Sequence, residues 1–336
     1  MSIHDDLKNM HQSRDYSGIC TIYDQFEDIF DIQPSEWDFI YLMNGLYKLE
    51  RYNDCLSLYK KCKKLYKESD KLNDKMGWCV YHLFLRKFDF DNNKTRDFFE
   101  KVNYVLKNVS NGQYSPVWCI VNLATKAIIQ KKAGNNPDYV LANEYLNQVD
   151  PQNLSRNEKQ GTAENGKKIS MASDYETWYG RKSKCLFEMK SWGECIKICE
   201  EGLATITKFH NNNDCWFKYR IGYSRLKQGL IEESLSVAKE ILEVGFKHWS
   251  VYQLLYDISV ANADAVSAMK YAGYCALADQ SHEMRIKFYK EYAFFLSKQE
   301  MTDKAMLHLH LIILIKQENG WKLKEESQPN LPTFYT

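Results

Sequence analysis

Two histidines near the carboxyl end, His308 and His310, have the spacing closest to that of a pair of metal ligands. The surrounding residues predict a helix, and side chains two positions apart on a helix point about 200° away from each other. At least one of the two rings must therefore face the apolar seam or the solvent. The pattern favours a structural role for both histidines over a metal site.

Candidates for a nucleophile or a general base also lack partners. His210 lies between Phe209 and three asparagines, and with Asp214 it predicts a turn and a helix cap rather than a catalytic dyad. Cys185 and Cys215 have basic residues nearby, but neither has a histidine that the sequence pairs with it. The chain contains no glycine-rich phosphate loop, no His-Glu-x2-His motif and no Gly-x-Ser-x-Gly elbow. We therefore predict no enzymatic activity, no cofactor and no metal.

The ten cysteines include no Cys-x2-Cys pair, the usual spacing of zinc ligands. Half of them occupy small, buried positions of a recurring pattern described next: Cys55, Cys62, Cys195, Cys199 and Cys275. A free cysteine at such a position behaves as a small apolar residue. This placement predicts reduced thiols and a cytoplasmic location.

The recurring pattern is a frame of four core residues, clearest in Trp192, Cys195, Cys199 and Gly202. Steps of three and four keep these residues on one face of a helix, and each copy opens the second helix of an antiparallel pair. Eight copies begin at Tyr16, Tyr52, Thr95, Tyr139, Trp192, Ile231, Ala265 and Thr302. Successive copies begin 36, 43, 44, 53, 39, 34 and 37 residues apart.

This frame resembles the tetratricopeptide repeat, a helix-turn-helix unit of about 34 residues. The best match contains Gly222, Gly229, Ser234 and Ala238, although no copy carries the full family signature. The uneven spacing implies insertions between units. The resemblance implies an all-α fold, a superhelical stack of about eight antiparallel helix pairs.

The resemblance also implies a binding groove, because in this family the first helix of each pair lines the concave face. The matching positions have cationic and aromatic side chains: Arg181, Lys184, Trp216, Tyr219, Arg220, Tyr223, Lys227, Lys287, Lys290 and Phe294. Such a groove suits an acidic peptide, a free C-terminal carboxylate or a phosphate-bearing ligand. The lysine–asparagine pattern of the family's carboxylate clamp does not fall at the matching positions. The alternative is a solvated charged face whose aromatic residues fill the seams between helices.

The last helix predicted, Lys304–Lys316, is apolar nearly all round. A terminal repeat should present a polar outer face to water, so this helix needs cover on every side. Either another subunit or the chain's own tail supplies it, the tail through Trp321, Leu323, Leu331 and Phe334. The candidate interface residues are Leu307, Leu311, Leu314 and Trp321.

A polar segment with several helix breakers divides the chain, and so long a stretch without periodicity is uncommon inside a compact fold. We predict an irregular helical-repeat array over residues 1–150 and a polar linker over 151–172. A regular tetratricopeptide-like array then covers 173–319, and a tail covers 320–336.

The formal net charge of +1 on 336 residues argues against a surface that binds nucleic acid or anionic lipid throughout. The acidic start of the chain predicts no secretory leader. No apolar run reaches the ~20 residues that a membrane span requires.

Three segments of the C-terminal half, Ser173–Tyr179, Lys208–Phe217 and Lys316–Trp321, resemble tetratricopeptide regions of bacterial conflict-system and phage-defence proteins. In that group the repeats accompany separate effector modules, which implies that any activity belongs to a partner. The leading hypothesis is a cytoplasmic, non-catalytic adaptor that binds a protein or peptide partner as a subunit of a bacterial antiviral defence complex. A homo- or hetero-oligomer would form through the last helix.

Two alternatives remain open, a peptide-sensing cytoplasmic regulator and an RNA-binding helical-repeat protein. The uneven spacing and the neutral net charge count against direct binding of nucleic acid.

Overall fold

The computed structural model describes residues 2–25, 34–132, 136–162 and 166–321, and sixteen α-helices occupy this part of the chain. The first helices of the pairs are α1 (Ile3–Ser13), α3 (Glu36–Lys48), α5 (Asp70–Val80), α7 (Val117–Ile129), α9 (Asp174–Glu188), α11 (Asn213–Lys227), α13 (Trp249–Ala261) and α15 (Ile286–Lys298). The second helices are α2 (Tyr16–Asp24), α4 (Tyr52–Cys62), α6 (Thr95–Asn108), α8 (Tyr139–Asn147), α10 (Trp192–Thr205), α12 (Ile231–Glu243), α14 (Ala265–Leu277) and α16 (Thr302–Glu318). A π-helical turn, Tyr81–Leu85, continues α5. The predicted all-α helical-repeat fold is confirmed.

Every second helix begins at the residue that opens a copy of the predicted frame. The small residues at the second position of the frame, among them Cys55, Ala142, Cys195 and Ala268, are fully buried. Local capping explains several of these starts, because the Asp15, Asp138 and Asp264 carboxylates accept hydrogen bonds from backbone N–H groups in the first turn. Phe26, the last residue of the first copy, lies outside the described residues.

The chain forms two compact units, Met1–Met189 and Lys190–Thr336. Their division falls in the turn between α9 and α10, one helix beyond the boundary predicted at residue 173, which stays a prediction. The first unit contains α1 to α9 and the second contains α10 to α16.

The segment predicted as a polar linker, residues 151–172, contains regular structure. A 3-10 turn, Pro151–Asn153, precedes an antiparallel hairpin of β1 (Lys159–Thr162) and β2 (Lys168–Met171), in which Lys159 pairs with Met171. Each strand has only four residues, so the alternation of Ile169 and Met171 with polar residues in β2 is too short to predict a strand. An ion pair between Lys159 and Asp174 joins the hairpin to the start of α9.

The core of the second unit contains an arginine with no exposed surface, Arg285. Its Nη1 donates to the carbonyl oxygens of Cys275, at 2.6 Å, and Ala276, at 2.8 Å. Its Nη2 donates to the carbonyl oxygen of Gln280. These bonds satisfy carbonyl groups at and beyond the end of α14, where the helix itself supplies no donors.

All ten cysteines are free thiols, and nine of them are buried. Burial raises the pKa of Cys62 and of Cys275 to about 12, so both thiols are protonated at neutral pH. Among the described helices, none has both the length and the apolar character needed to cross a bilayer.

Candidate ligand-binding surface

Three first helices of the second unit, α11, α13 and α15, lie side by side. The Tyr256 ring on α13 contacts Phe288, Tyr292 and Phe295 on α15, with centroid separations of 5.5, 5.8 and 5.8 Å. On its other side, α13 contributes Leu254 and Ile258 to an apolar cluster that also holds rings from α11. The solvent-facing side of these three helices is called the first-helix face below.

The aromatic residues predicted on α11 are half-buried and line this face. Trp216 meets Phe246 and His248 edge to face, at centroid separations of 5.5 and 4.7 Å. Tyr219 and Tyr223 pack against the apolar cluster, so these two rings also fill a seam. This packing agrees in part with the alternative interpretation, in which the aromatic residues fill the seams between helices.

The predicted cations of the second unit differ in exposure. Lys227 is exposed, with Nζ 4.9 Å from the Tyr223 ring centroid, and Lys287 and Lys290 on α15 are exposed as well. Arg220 is half-buried. A hydrogen bond with Cys199 lowers the pKa of the Cys195 thiol, and the positive charge of Arg220 acts in the same direction.

Phe294 on α15 is the most exposed ring of this face, with 59% of its surface accessible. The Lys298 ammonium lies 4.6 Å from its centroid. An exposed ring flanked by lysines provides apolar contact area and positive charge at one place.

The sequence analysis missed two carboxyl groups that lie among these lysines, Asp257 on α13 and Glu291 on α15. Gln253 Nε2 donates to Glu291 Oε2 at 3.5 Å, and Lys287 Nζ lies 3.7 Å from Glu291 Oε1. The spacing of 34 residues that carries Ser234 onto Ala268 also carries Tyr219 onto Gln253 and Tyr223 onto Asp257. The repeat spacing therefore marks Gln253 and Asp257 as positions equivalent to Tyr219 and Tyr223, although neither side chain is cationic or aromatic.

Arg181 and Lys184 belong to α9 and thus to the first unit. Arg181 Nη1 donates to the carbonyl oxygen of Asn122 at 2.6 Å and to Thr125 Oγ1 at 2.8 Å. Burial lowers the pKa of Arg181 to about 10. This guanidinium therefore links α9 to α7, and the ten predicted groove residues divide between two units.

The first unit has an aromatic and cationic surface of its own on α3 and α5, which the sequence analysis did not identify. Lys71 Nζ lies 3.9 Å from the centroid of Trp37, and Lys75 Nζ lies 4.5 Å from that of Tyr47. Tyr47 Oη lies 3.1 Å from His82 Nε2. The spacing of Lys71 and Lys75, one turn apart on α5, was the available signal.

The predicted interface on α16 has an inner and an outer side. Ala305, Ile312 and Ile315 are buried, and Leu311 is half-buried against the apolar core of this unit. Leu307, Leu314 and Trp321 are 66%, 55% and 47% exposed. The outer side of the helix is therefore exposed in the described part of the chain, and the tail residues Leu323, Leu331 and Phe334 lie outside it.

The histidines considered for chemistry have structural contacts. His308 Nδ1 donates to the carbonyl oxygen of Lys304 at 2.9 Å, and the ring meets Tyr292 edge to face, whereas His310 is exposed. The His210 ring lies 2.8 Å from the Asn211 side-chain amide. Within the described ranges, no group of three or more His, Cys, Asp or Glu residues is arranged to hold a metal ion.

No protein-family model and no curated protein matches this chain. Among solved structures, the chain is similar to the human IFIT1 dimer with PPP-AAAA, with 11% identity over 90% of this chain and 63% of that chain, at a TM-score of 0.46. It is also similar to the APC/C hetero-tetramer Cut9–Hcn1, with 9% identity over 94% of this chain and 52% of that chain, at a TM-score of 0.47. A human IFIT1 dimer with m7Gppp-AAAA gives 11% identity, 95% and 67% coverage and a TM-score of 0.47. The chain thus spans about half to two thirds of the length of these solved chains.

Proposed function

We propose that this chain is a non-catalytic helical-repeat adaptor that binds an extended acidic segment of a protein partner along the first-helix face of its second unit. The observation that carries the proposal is the set of half-buried rings on α11, the exposed ring on α15 and the exposed ammonium groups on both helices. Its members are Trp216, Tyr223, Lys227, Lys287, Lys290 and Phe294.

An acidic segment bound here would cover the exposed surface of Phe294 and pair with the lysine ammonium groups. Burial of the exposed part of Phe294 is favourable at roughly 25 cal/mol per Å² of apolar surface. The ammonium groups of Lys227, Lys287 and Lys290 supply charge-assisted hydrogen bonds to carboxylates. The net charge of the whole chain is only +1, so the attraction of an acidic segment would come from these lysines and not from the chain as a whole.

A direct test measures the anisotropy of a rhodamine-labelled octaglutamate peptide against the full chain at about pH 6. The variant Lys227→Glu with Lys290→Glu should bind about tenfold more weakly or worse, because two attractive charges become repulsive. Lys239→Glu is the matched control, since this lysine is exposed on the second helix α12, and its affinity should stay within about twofold.

Unchanged affinity in the double variant would remove this face as the site. A labelled single-stranded RNA of the same length forms the second arm. Tighter, strongly salt-dependent binding of the RNA would replace the peptide proposal with one of nucleic-acid binding.

The proposal extends to the assembly in which the adaptor acts, a bacterial antiviral defence complex in the cytoplasm. Its support is the resemblance of Ser173–Tyr179, Lys208–Phe217 and Lys316–Trp321 to defence-protein repeats, together with the unpaired cysteines. A tagged full chain should co-purify stoichiometrically with an effector encoded by a neighbouring gene. Deletion of the genes for this chain and for the effector should lower the resistance of the cell to phage. Unaltered resistance would contradict a role in antiviral defence.

A further inference from the structure

The aromatic and cationic surface of the first unit, called the α3–α5 surface below, is formed by Trp37, Tyr47, Lys71 and Lys75. The two lysines lie one turn apart on α5, about 6 Å along its axis, and project from the same side of the helix. The Lys71 ammonium lies 3.9 Å from the centroid of Trp37, and the Lys75 ammonium lies 4.5 Å from that of Tyr47. Within the described ranges, neither ammonium has a hydrogen bond or an ion pair.

Lys63 of the first unit also lies on a ring, but the chain supplies a partner for its ammonium. Its Nζ lies 5.4 Å from the centroid of Tyr104 and donates to Asn108 Oδ1 at 2.8 Å. The ammonium groups of Lys71 and Lys75 are instead left for water or for a ligand.

The end of the α3–α5 surface at Tyr47 is held in a fixed geometry. The Tyr47 hydroxyl lies 3.1 Å from His82 Nε2, and the Tyr47 ring lies 5.6 Å from that of Tyr52. The Tyr52 ring in turn stacks on His82 with 5.0 Å between centroids. The ring under Lys75 is therefore positioned before any ligand binds, which lowers the entropic cost of binding.

The surroundings of Lys75 favour an anion beside it. The side chain is half-buried and burial lowers its pKa, while the charge of Lys48 acts in the same direction and that of Asp74 opposes it. Asp74 precedes Lys75 on α5, and adjacent side chains point about 100° apart on a helix. A bound anion would compensate the hydration that this ammonium has lost.

The other end of the α3–α5 surface is an exposed ring. Trp37 is 46% exposed, and its ring lies 5.8 Å from that of Tyr41 on the same helix. Lys71 is exposed, so its side chain can turn from the Trp37 ring towards an anion and leave the ring to a planar group. Nucleic-acid bases are planar groups that stack on such rings.

We propose that the α3–α5 surface binds a nucleotide, whose base stacks on Trp37 and whose phosphate groups lie between Lys71 and Lys75. Aromatic rings stack on bases and ammonium groups pair with phosphates, so this surface offers a contact for each part of the ligand. The two rings and the two lysines lie on only two helices, which suits one nucleotide better than a continuous strand. The inference concerns the first unit and does not rest on the function proposed above.

Isothermal titration calorimetry of the full chain with adenosine triphosphate at low ionic strength tests this site. Adenosine triphosphate should bind at least about tenfold more tightly than adenosine alone or inorganic triphosphate alone, because each of these keeps only one set of contacts. Lys71→Glu and Lys75→Gln should each lower the affinity for adenosine triphosphate about tenfold. Trp37→Leu should lower it to a similar extent without changing the affinity for inorganic triphosphate.

Lys107→Glu and Tyr104→Leu are the matched controls, because both residues are exposed on the second helix α6. Both variants should bind adenosine triphosphate within about twofold of the wild type. The variant Lys227→Glu with Lys290→Glu should do the same, because its substitutions lie in the second unit. Circular dichroism should show the same helicity in every variant, and the exposure of Lys71 keeps its comparison with Lys107 valid even if Lys75→Gln unfolds.

Three results would overturn the inference while leaving the binding of octaglutamate to the second unit untouched. Adenosine triphosphate that does not bind would exclude the site, and inorganic triphosphate that binds as tightly would show a site for anions only. An affinity for adenosine triphosphate unchanged by Lys71→Glu and by Trp37→Leu would place the nucleotide elsewhere. A single-stranded RNA octamer that binds more tightly than adenosine triphosphate and loses affinity in Trp37→Leu would overturn the assignment to a single nucleotide in favour of a strand.

Discussion

Arg285 shows how one side chain can stabilise the end of a helix from within the core. It is fully buried and donates to the backbone carbonyls of Cys275, Ala276 and Gln280. Such a charged group is tolerated because several hydrogen bonds compensate its loss of hydration.

Replacement of Arg285 by lysine should lower the free energy of unfolding by about 2–4 kcal/mol, because a single ammonium cannot reach carbonyls on both sides of the guanidinium. Arg225→Lys is the matched control, since Arg225 pairs at 3.0 Å with the exposed Glu200 and should change stability by less than about 0.5 kcal/mol. Urea denaturation followed by circular dichroism measures both. Equal changes in the free energy of unfolding for the two substitutions would show that the buried hydrogen bonds of Arg285 add nothing to stability.

Asp257 also makes the stability of the fold depend on pH. Burial, helped by the nearby charge of Glu291, raises the pKa of Asp257 to about 7 in the folded protein, above the value of about 3.9 for an unfolded chain. The folded state therefore binds more protons between these two values. The contribution of this group to stability is therefore present below about pH 4 and is lost as the pH rises towards 7.

Asp257→Asn, which cannot ionise, should raise the melting temperature relative to the wild type at pH 8 more than at pH 5. Differential scanning calorimetry at both pH values measures the difference. A melting-temperature difference that is the same at the two pH values would contradict the assignment of this titration to Asp257.

At the scale of helices, glycine decides how closely neighbours approach. A Cβ atom on Gly45 of α3 would lie only 2.4 Å from Ile19 Cγ2 on α2, whereas a Cβ on Gly273 of α14 would meet nothing within 4 Å. Gly45 is thus needed for packing, and Gly273 is an ordinary helical position.

Gly45→Ala should destabilise the fold by about 1–3 kcal/mol, because α2 and α3 must separate. Gly273→Ala should stabilise it by about 0.5–1 kcal/mol, because alanine loses less backbone entropy in a helix than glycine. Chemical denaturation of the two variants provides the comparison. Stabilisation by Gly45→Ala would mean that α2 and α3 can move apart without a loss of packing energy.

At the scale of the whole molecule, the exposed leucines of α16 bear on whether the chain forms an oligomer. We propose that another subunit covers Leu307 and Leu314, which are 66% and 55% exposed on α16, the last helix of the described residues. Leu311 differs from them because it packs partly against the core.

Leu307→Glu with Leu314→Glu should convert an assembled species to a monomer of unchanged helicity, measured by light scattering after size exclusion and by circular dichroism. Leu311→Glu should in addition lower the melting temperature, because its carboxylate would enter a partly apolar environment. A wild-type chain that is monomeric at every concentration, or a double variant that keeps the assembled state, would exclude this surface as the interface.

The repeat frame was predictable because it is a local property. Spacings of three and four within about ten residues define the buried side of a helix, so the starts at Tyr52, Trp192 and Ala265 followed from the sequence. The burial of the small frame residues followed for the same reason.

The candidate site was only partly predictable. Positions on the first helices followed from the repeat frame, and on α11 and α15 the predicted residues are half-buried or exposed. The strands β1 and β2 are only four residues long, too short for their pattern to predict them, and their pairing, for example of Lys159 with Met171, became visible only in the structure.

Sequence alone thus determined the class of fold, the beginnings of the second helices and the side of each helix that is buried, because these depend on periodicity within one helix. Tertiary structure alone decided which ionisable groups meet. Arg181 bonds to Asn122, Arg285 reaches the end of α14, and Gln253 of α13 donates to Glu291 of α15. Such encounters depend on how far insertions between units displace one helix along the next, and no spacing within a single helix records that displacement.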